Sequence, residues 1–559
     1  MDVRTRTARR LAPVAALLAA ALAALALLGD PGSAAAQPVL PGSTERTPVP
    51  DSLPRTPDDY VISARRALRI ADGDPKVVAM REERGPLTAS VSTEAVKRWE
   101  VGYFAGDTKV VLIVVDGVTG EVLESWTGSQ VAWPMARGKE GQFGHILNAP
   151  YVWIPMALVF FLALLDWRRP GRIAHLDLLV LLSFGISHAF FNDAEIGISV
   201  PLYYPPLVYL LLRMLWVGFG GRSRPLRPSL PLTAMIVLCV ALAVFRITIN
   251  VADSGVIDVG YAGVVGADRI NDAEPIYGEG VFPENNPHGD TYGPANYFAY
   301  VPFELILPWS GDWDALYAAR AAAIIFDLLC IAGLVVLGLR LAGRRLAATL
   351  ALAWLAYPYT AFVLQSNSND SLLAAALIWS LALFAQPLAR GALLAVAALT
   401  KFAPLVLAPL YLAGKHGLAG LRGSVRERAR PALLYAGAFA LAAVLLLAHP
   451  VIDPGVATFW ERTVGSQAGR VSPFSIWGQA DLEWLHTLVK LGVVVLAIAI
   501  ALVPRERTMT QIAALGAAVM IAVEITAEHW FYLYIVWFLP LLLLAITYRA
   551  EPGSVRSGR

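Results

Sequence analysis

The chain has 559 residues, of which 57% are hydrophobic and only 16% are charged, and this balance excludes an ordinary soluble domain. Its formal net charge is +2, and its basic residues are scattered over short loops, so the charge does not favour nucleic acid as a partner. Both cysteines, Cys239 and Cys330, lie in apolar segments, which gives no basis for a disulfide framework, a thiolate metal site or redox chemistry.

The first 36 residues have the pattern of a secretory signal. Four arginines precede an apolar run from Leu11 to Leu28, and three alanines stand before Gln37. The run is long for a cleaved signal, so an uncleaved anchor is the alternative, and the segment that follows lies outside in either case. Residues 37–59 are rich in Pro, Ser and Thr, which is typical of a flexible linker.

Residues 60–149 predict a small α+β domain on the extracytoplasmic side. An amphipathic stretch at residues 60–71 is followed by Trp99, Val101 and Tyr103, which alternate with other residues. An apolar run at residues 110–115 comes next and ends in a turn at Asp116. The text VVLIVVDGVTGEVLESW resembles extracytoplasmic modules of the PepSY type, which implies a regulatory or docking role and no chemistry. A structural cap is the alternative.

From residue 150 onward, long apolar runs predict membrane-spanning helices, since about 20 helical residues cross the hydrocarbon core. We predict eleven, near residues 151–167, 174–191, 199–219, 230–250, 316–340, 345–365, 370–388, 431–448, 485–503, 509–526 and 530–548. Two further apolar segments, 294–309 and 391–413, are interrupted by proline, so each is predicted to be interfacial or re-entrant. The predicted fold is therefore an all-α polytopic membrane domain, residues 150–548, behind the small α+β domain.

The distribution of arginine and lysine orients these helices, because cytoplasmic loops carry the excess of basic residues. If both interrupted segments return to the side where they begin, every basic cluster lies inside, including the predicted cytoplasmic tail at residues 549–559. The most polar stretches then all lie outside, and they are residues 253–293, 365–370, 450–479 and 528–530. This topology predicts a shared cavity on the outer face.

The outer loop of residues 251–293 is long and rich in Asp and Glu, and ordered loops of this length are usually functional. A carboxylate at the mouth of a helix can accept a proton from a sugar hydroxyl. Asp258 is the best placed, because it begins an apolar-patterned stretch that can form an amphipathic helix on the bilayer, and Asp253 is the second candidate. The alternative is that these acids only solvate an outer loop.

Three segments carry a family resemblance: IDVGYAGVVGADRINDAEPIYG (257–278), ALTKFAPLVLAPL (398–410) and FWERTVGSQAGRVSPFSIWGQ (459–479). They resemble membrane glycosyltransferases of fold type C, in particular the polyprenyl-phosphate-mannose-dependent mannosyltransferases of glycosyltransferase family 87. The resemblance implies that Asp258 deprotonates the acceptor hydroxyl while the sugar leaves a polyprenyl phosphate, with inversion at the anomeric carbon. Simpler members lack the first 150 residues and the helices near 151–219, which leaves the acceptor open.

Cations on the outer side are the candidates for binding the leaving phosphate, since unshielded negative charge at the interface is costly. Lys401 stands alone in an apolar stretch, and His529 and Arg470 lie in the outer polar stretches. Two of them have structural alternatives: Lys401 can be a lysine that snorkels at a segment end, and His529 can belong to an aromatic belt.

Sugar or acceptor binding is predicted for polar and aromatic residues of the outer stretches, namely Tyr261, His288, Asp290, Gln365 and Asn367. Their side chains can hydrogen-bond hydroxyl groups or stack on a sugar face. The run QSNSND at residues 365–370 fits a helix cap equally well. His288 and Asp290 lack a further ligand at suitable spacing, so we predict no metal, and we expect no cofactor besides the lipid-linked substrate.

The sequence therefore predicts an enzyme of cell-envelope biosynthesis. It transfers a sugar, most simply mannose, from a polyprenyl phosphate to a glycolipid, glycan or protein acceptor on the outer face of a bacterial cytoplasmic membrane. Its expected partners are the lipid donor, that acceptor and the bilayer, without nucleic acid. A transporter or flippase of a lipid-linked sugar is the alternative, which the lack of an inverted internal repeat disfavours, and a membrane scaffold is the third hypothesis.

Overall fold

The computed structural model describes residues 55–93, 97–138, 144–221, 224–313, 316–416, 425–466 and 472–549, without the side chains of 425–428. These residues form two compact units. The smaller unit contains the described part of residues 37–142 together with residues 189–196, and the larger unit contains the other described residues.

The smaller unit is an antiparallel sheet with helices packed on it. Its elements are α1 (Ala64–Asp72), α2 (Pro75–Arg84), β1 (Thr88–Thr93), β2 (Arg98–Ala105), β3 (Thr108–Asp116), β4 (Val122–Thr127), α3 (Ser129–Ala132) and a 3-10 turn (Pro134–Arg137). The four strands follow one another in the order β1-β2-β3-β4. Both main helices start at side-chain caps, because Ser63 and Asp74 accept hydrogen bonds from backbone N–H groups of the first turn.

The core of the smaller unit lies between α1, α2 and one face of the sheet. Alternate residues of β2, Trp99, Val101 and Tyr103, are fully buried in the same core as Ala67 of α1, as the period of two in a strand requires. The Trp99 indole N–H donates to the Ile62 carbonyl at 2.7 Å. The predicted small α+β domain is confirmed, and its likeness to PepSY modules stays a prediction.

The larger unit is built of helices. They are α4 (Pro150–Leu164), α5 (Ile173–Asn192), α6 (Ile196–Gly218), α7 (Leu232–Ala252), α8 (Asp258–Asn271), α9 (Pro294–Glu304), α10 (Tyr317–Ala342), α11 (Arg344–Ala356), α12 (Pro358–Gln365), α13 (Asp370–Ala382), α14 (Pro387–Thr400), α15 (Ala408–Ala413), α16 (Val425–Ile452), α17 (Val456–Trp460), α18 (Ile476–Gln479), α19 (Glu483–Leu502), α20 (Met509–Thr526) and α21 (Ile535–Thr547). Shorter turns of 3-10 or π type are His145–Asn148, Ala403–Leu407, Gly414–His416, Glu461–Gly465 and Tyr532–Tyr534.

Each of the eleven segments predicted to span is helical, but eleven spans are not confirmed. Among the described residues, seven helices are long and apolar enough to cross a membrane, and they are α5, α6, α7, α10, α16, α19 and α20. The pair α11 and α12, bent by 59° before Pro358, makes an eighth if it is one span. The remaining three predicted spans correspond to shorter apolar helices, α4, α13 and α21 with its preceding turn. The chain is a multi-pass membrane protein.

Residues 387–413 form a hairpin that reaches the acid-rich loop at its apex. At the base of the hairpin, the Arg390 side chain donates to the Phe384 carbonyl at 2.8 Å and packs beside Gly414. At the apex, the Thr400 carbonyl accepts a hydrogen bond from the Gly293 N–H at 3.3 Å. The segment predicted to be interfacial or re-entrant, residues 391–413, thus begins and ends at the same place in the bundle.

The helices α8 and α9 pack on each other and do not lie as separate surface helices. With 11 residues, α9 is too short to cross about 30 Å of hydrocarbon. Every residue of α8 from Val259 to Ala267 is buried, which differs from the amphipathic surface helix that the sequence predicts. Glycines on α8 explain the difference, because the rings of Tyr297 and Tyr300 pack directly against them.

Candidate functional site

Asp258 is the first residue of α8, and the turn that carries it is tied to the segment after α12. The Ile257 N–H donates to the Ser366 carbonyl at 3.0 Å. Gly260, in the first turn of α8, packs on the carbonyl of Asn367 so closely that a Cβ atom does not fit. A carboxylate at a helix N-terminus is stabilised in its ionised form by the helix dipole. The fold thus fixes the backbone of Asp258 and leaves its side chain partly exposed.

Gln365 and Asn367, predicted to bind a sugar, are fully buried beneath this turn. The Asn367 amide donates to the Ser254 hydroxyl at 3.0 Å and to the Gly255 carbonyl at 2.7 Å. The Gln365 amide donates to the carbonyl of Asp253. Their hydrogen-bonding groups hold the backbone that leads to α8, and sugar binding by them stays a prediction.

Lys401 lies at the apex of the 387–413 hairpin and is mostly buried. Its Nζ atom is 2.6 Å from Oδ1 of Asp370, whose side chain has no exposed surface. The same Nζ lies 5.2 Å from the ring centroids of both Tyr534 and Trp537, and the Trp537 indole N–H donates to Asp370 at 2.7 Å. A buried ammonium with a counter-ion and aromatic faces around it is well compensated, so Lys401 points into the bundle and does not snorkel to a segment end.

Tyr292 connects Asp258 with Lys401. Its hydroxyl lies 3.5 Å from Oδ2 of Asp258, and its ring centroid lies 5.9 Å from Nζ of Lys401. Asp258, Tyr292, Lys401, Asp370 and Trp537 therefore form one connected group, which we call the central cluster. It unites four parts of the sequence that are far apart: the acid-rich loop, the hairpin apex, the start of α13 and α21.

Asp253, the second candidate for the base, has a different environment. It caps the C-terminus of α7 and is exposed. Its carboxylate interacts with Nδ1 of His145 at 3.1 Å and accepts a hydrogen bond from the Ile146 N–H at 3.3 Å. These contacts direct it towards the short turn before α4, whereas Asp258 is directed towards Tyr292.

Asp290, predicted to bind a sugar, is fully buried in an ion pair. Arg462 donates to both of its carboxylate oxygens, at 2.6 and 2.9 Å, and the Gly278 N–H donates to it at 3.1 Å. The hydrogen bonds to Asp290 raise the pKa of the Arg462 guanidinium. His288, two residues earlier, is exposed. This ion pair connects the acid-rich loop to residues 461–465, so Asp290 has a structural role.

The other predicted ligands have different environments. His529 is partly buried, and its Nδ1 lies 3.0 Å from the Ser472 hydroxyl. Tyr261 is fully buried and stacks on Trp313 at 4.5 Å, and burial raises the pKa of its phenol. Arg470 lies outside the described residues.

Three residues of this region are not predicted from the sequence as ligands: Asp370, Tyr292 and Arg462. A usable signal exists for Asp370, because an acid at the start of an apolar segment and a lone lysine in another apolar segment are natural counter-ions in a membrane protein. Tyr292 stands in a run of tyrosines that reads equally well as an interfacial belt. Only the packing of the hairpin apex on the loop identifies it.

The central cluster combines two carboxylates, a phenol, an indole and an ammonium. The Asp258 carboxylate can accept a proton, and the Lys401 ammonium can stabilise negative charge on a leaving group. Among the residues that the structure describes, no group of three or more His, Cys, Asp or Glu is placed to hold a metal ion. The arrangement fits acid–base chemistry next to an anion.

Comparison with known families gives a match over part of the chain. The model of glycosyltransferase family 87 matches residues 291–547, which include Tyr292, Asp370, Lys401 and His529 and begin after Asp258. No curated protein matches the chain. The match agrees with the helical, apolar character of the larger unit. The match to glycosyltransferase family 87 thus covers four of the five residues of the central cluster.

Proposed function

We propose that this glycosyltransferase takes mannose from a polyprenyl phosphate and transfers it, with inversion, to an acceptor on the outer face of a bacterial cytoplasmic membrane. The observation that carries the proposal is the central cluster, in which the hydroxyl of Tyr292 lies near Asp258 and its ring lies near Lys401. A base for the acceptor and a cation for the phosphate are the two groups that such a transfer needs.

In the proposed reaction Asp258 removes the proton of an acceptor hydroxyl. The resulting oxygen nucleophile forms a bond to the anomeric carbon of the sugar while the bond from that carbon to the phosphate oxygen breaks. The electron pair of that bond stays on the phosphate, which leaves as polyprenyl phosphate. Attack from the side opposite the leaving group inverts the configuration.

The leaving phosphate gains negative charge, and Lys401 is the cation of the central cluster that can stabilise it. Its charge is already balanced by Asp370 at 2.6 Å, so further donors are needed for a phosphate. His529 and Arg470 remain the proposed additional donors. The proposed acceptor is a glycolipid, a glycan or a protein. The small N-terminal domain is proposed to lie on the outer side of the membrane.

The decisive experiment measures transfer of labelled mannose from its polyprenyl-phosphate donor by purified protein in detergent. Asp258→Asn is expected to lower kcat by about 10²–10⁴, the usual contribution of a general base, and Asp272→Asn, an exposed acid at the end of α8, is the matched control. Full activity of both Asp258→Asn and Asp258→Ala would remove Asp258 as the base. Loss of activity in Asp253→Asn alone would transfer that role to Asp253.

The same assay separates an enzyme from the alternative transporter or flippase. Turnover of the donor without a sealed compartment supports the glycosyltransferase. Movement of lipid-linked sugar that requires two compartments, without release of polyprenyl phosphate, would instead support a carrier.

A further inference from the structure

The backbone of Tyr292 forms hydrogen bonds through both its carbonyl and its N–H. Its carbonyl accepts a hydrogen bond from the Tyr277 hydroxyl at 2.9 Å, and its N–H donates to the Tyr297 hydroxyl at 3.4 Å. The next residue, Gly293, donates to the Thr400 carbonyl at 3.3 Å, immediately before Lys401. The position of Tyr292 is therefore set by the loop and by the hairpin apex together.

The side chain of Tyr292 offers a different group to each neighbour. The phenol O–H is a hydrogen-bond donor for the Asp258 carboxylate, from which it lies 3.5 Å. The ring face carries partial negative charge and attracts the Lys401 ammonium, 5.9 Å from its centroid. A phenylalanine keeps the ring beside Lys401 and removes the hydroxyl that faces Asp258.

We infer that Tyr292 is a positioning residue for the transfer reaction. Its hydroxyl orients the Asp258 carboxylate for proton transfer, and its ring helps to position the Lys401 ammonium. This inference rests on the proposed role of Asp258 as the base. A hydrogen bond from Tyr292 to the charged form of the carboxylate also favours ionisation, so that Asp258 is ready to accept a proton over a wider pH range.

Other charged groups in this region have partners other than Tyr292. Arg320 of α10 donates to the Ser254 carbonyl at 3.1 Å, and the His145–Asp253 pair lies before the turn. Asp268, near the far end of α8, has its pKa raised by burial and next by Glu304 of α9. A comparison of Tyr292→Phe with the unaltered protein therefore isolates the hydroxyl.

The test is the pH profile of kcat/KM for Tyr292→Phe, with Tyr317→Phe, an exposed tyrosine at the start of α10, as the control. We expect the acid limb to move up by about half to one pH unit, the size that one net hydrogen bond to a carboxylate gives. The KM for the donor is expected to stay within about twofold in Tyr292→Phe and to rise in Tyr292→Leu, which also loses the ring face beside Lys401.

A second readout does not need turnover. Carbodiimide reacts with a protonated carboxyl group, so the pH midpoint of Asp258 modification, followed by peptide mass spectrometry, is expected to rise by the same amount in Tyr292→Phe. An unchanged midpoint together with an unchanged acid limb would overturn the role of Tyr292 and leave the proposed function intact. Activity of Asp258→Asn would remove the base itself and is a separate result.

Discussion

At the scale of single residues, Lys401 and Asp370 form a buried ion pair in the central cluster. Asp370 has no exposed side-chain surface and Lys401 has 11%. Removing one partner of a buried pair leaves an uncompensated charge, which costs much more than removing both. The pair therefore behaves as a unit in mutational tests.

Lys401→Met is expected to destabilise the protein by about 3–5 kcal/mol, because Asp370 loses its counter-ion. The double variant Lys401→Met with Asp370→Asn is expected to recover most of that loss, while its affinity for a polyprenyl phosphate stays low. Thermal unfolding in detergent and donor binding are the two measurements. Normal donor affinity in the stable double variant would remove Lys401 from phosphate binding.

Arg462→Leu is also expected to lower the free energy of unfolding by about 3–5 kcal/mol. Asp290 is fully buried, and both of its carboxylate oxygens accept hydrogen bonds from Arg462. Arg269→Leu is the control, since its partner Glu274 is half exposed and such pairs contribute about 0–1 kcal/mol. Unfolding monitored by intrinsic fluorescence measures both variants. Equal stability of the two would show that Asp290 tolerates the loss of its partner.

The sequence identifies Asp258 and Lys401 as candidates because each is a charged residue in apolar surroundings, which is costly and hence rarely incidental. It does not identify their partners. Gln365 and Asn367 have amides that serve sugar binding and backbone support equally well, and only the tertiary structure shows that they donate to the turn before α8.

At the scale of elements, the helices α5 and α6 hold the segment that carries His529. The hydroxyl of Tyr532 lies 2.6 Å from Ser187 of α5 and 3.0 Å from Ser199 of α6. The Tyr203 hydroxyl of α6 donates to the Phe474 carbonyl at 3.0 Å. These two helices lie before the family-matched region, yet they support residues inside it.

Tyr532→Phe is expected to lower stability by about 0.5–1.5 kcal/mol, the net value of a buried hydrogen bond, and to raise the KM for the donor because the His529 segment is held less firmly. Tyr435→Phe, another buried tyrosine that donates to the Ala408 carbonyl at 3.3 Å, is the control and is expected to change stability only. A donor KM that is the same in both variants would contradict a link between α5, α6 and the donor site.

Element positions follow from hydropathy, whereas element lengths do not. All eleven apolar segments are helical, but the predicted span at 345–365 is bent by 59° before Pro358, since a proline removes a helical hydrogen bond and disfavours helix in the residue before it. The predicted span at 370–388 ends as a helix at Ala382. Local sequence shows where a helix is apolar, and packing decides where it stops.

At the scale of the whole molecule, the proposed topology makes a direct prediction about sidedness. In a protein without its two native cysteines, Glu284→Cys in the acid-rich loop is expected to react with a membrane-impermeant maleimide in intact spheroplasts. Glu506→Cys, between α19 and α20, is expected to react only after permeabilisation. Both positions are exposed, so each can react once the reagent reaches it.

The opposite labelling pattern would place the central cluster on the cytoplasmic side and contradict the proposed outer-face reaction. The positive-inside rule predicts the orientation of the helices in the membrane, and the fold shows which loops contact one another. Neither is contained in hydropathy alone, which is why the sequence predicts a shared cavity but not the contacts that form it.

The hairpin of residues 387–413 also has a consequence for biosynthesis. Asp370 precedes Lys401 in the chain by the length of α13 and α14, so the carboxylate is synthesised first. When the hairpin later enters the membrane, its ammonium meets a counter-ion that is already available, and the cost of inserting a lysine falls. The order of the two charges along the polypeptide thus predicts that the hairpin assembles after α13 is inserted.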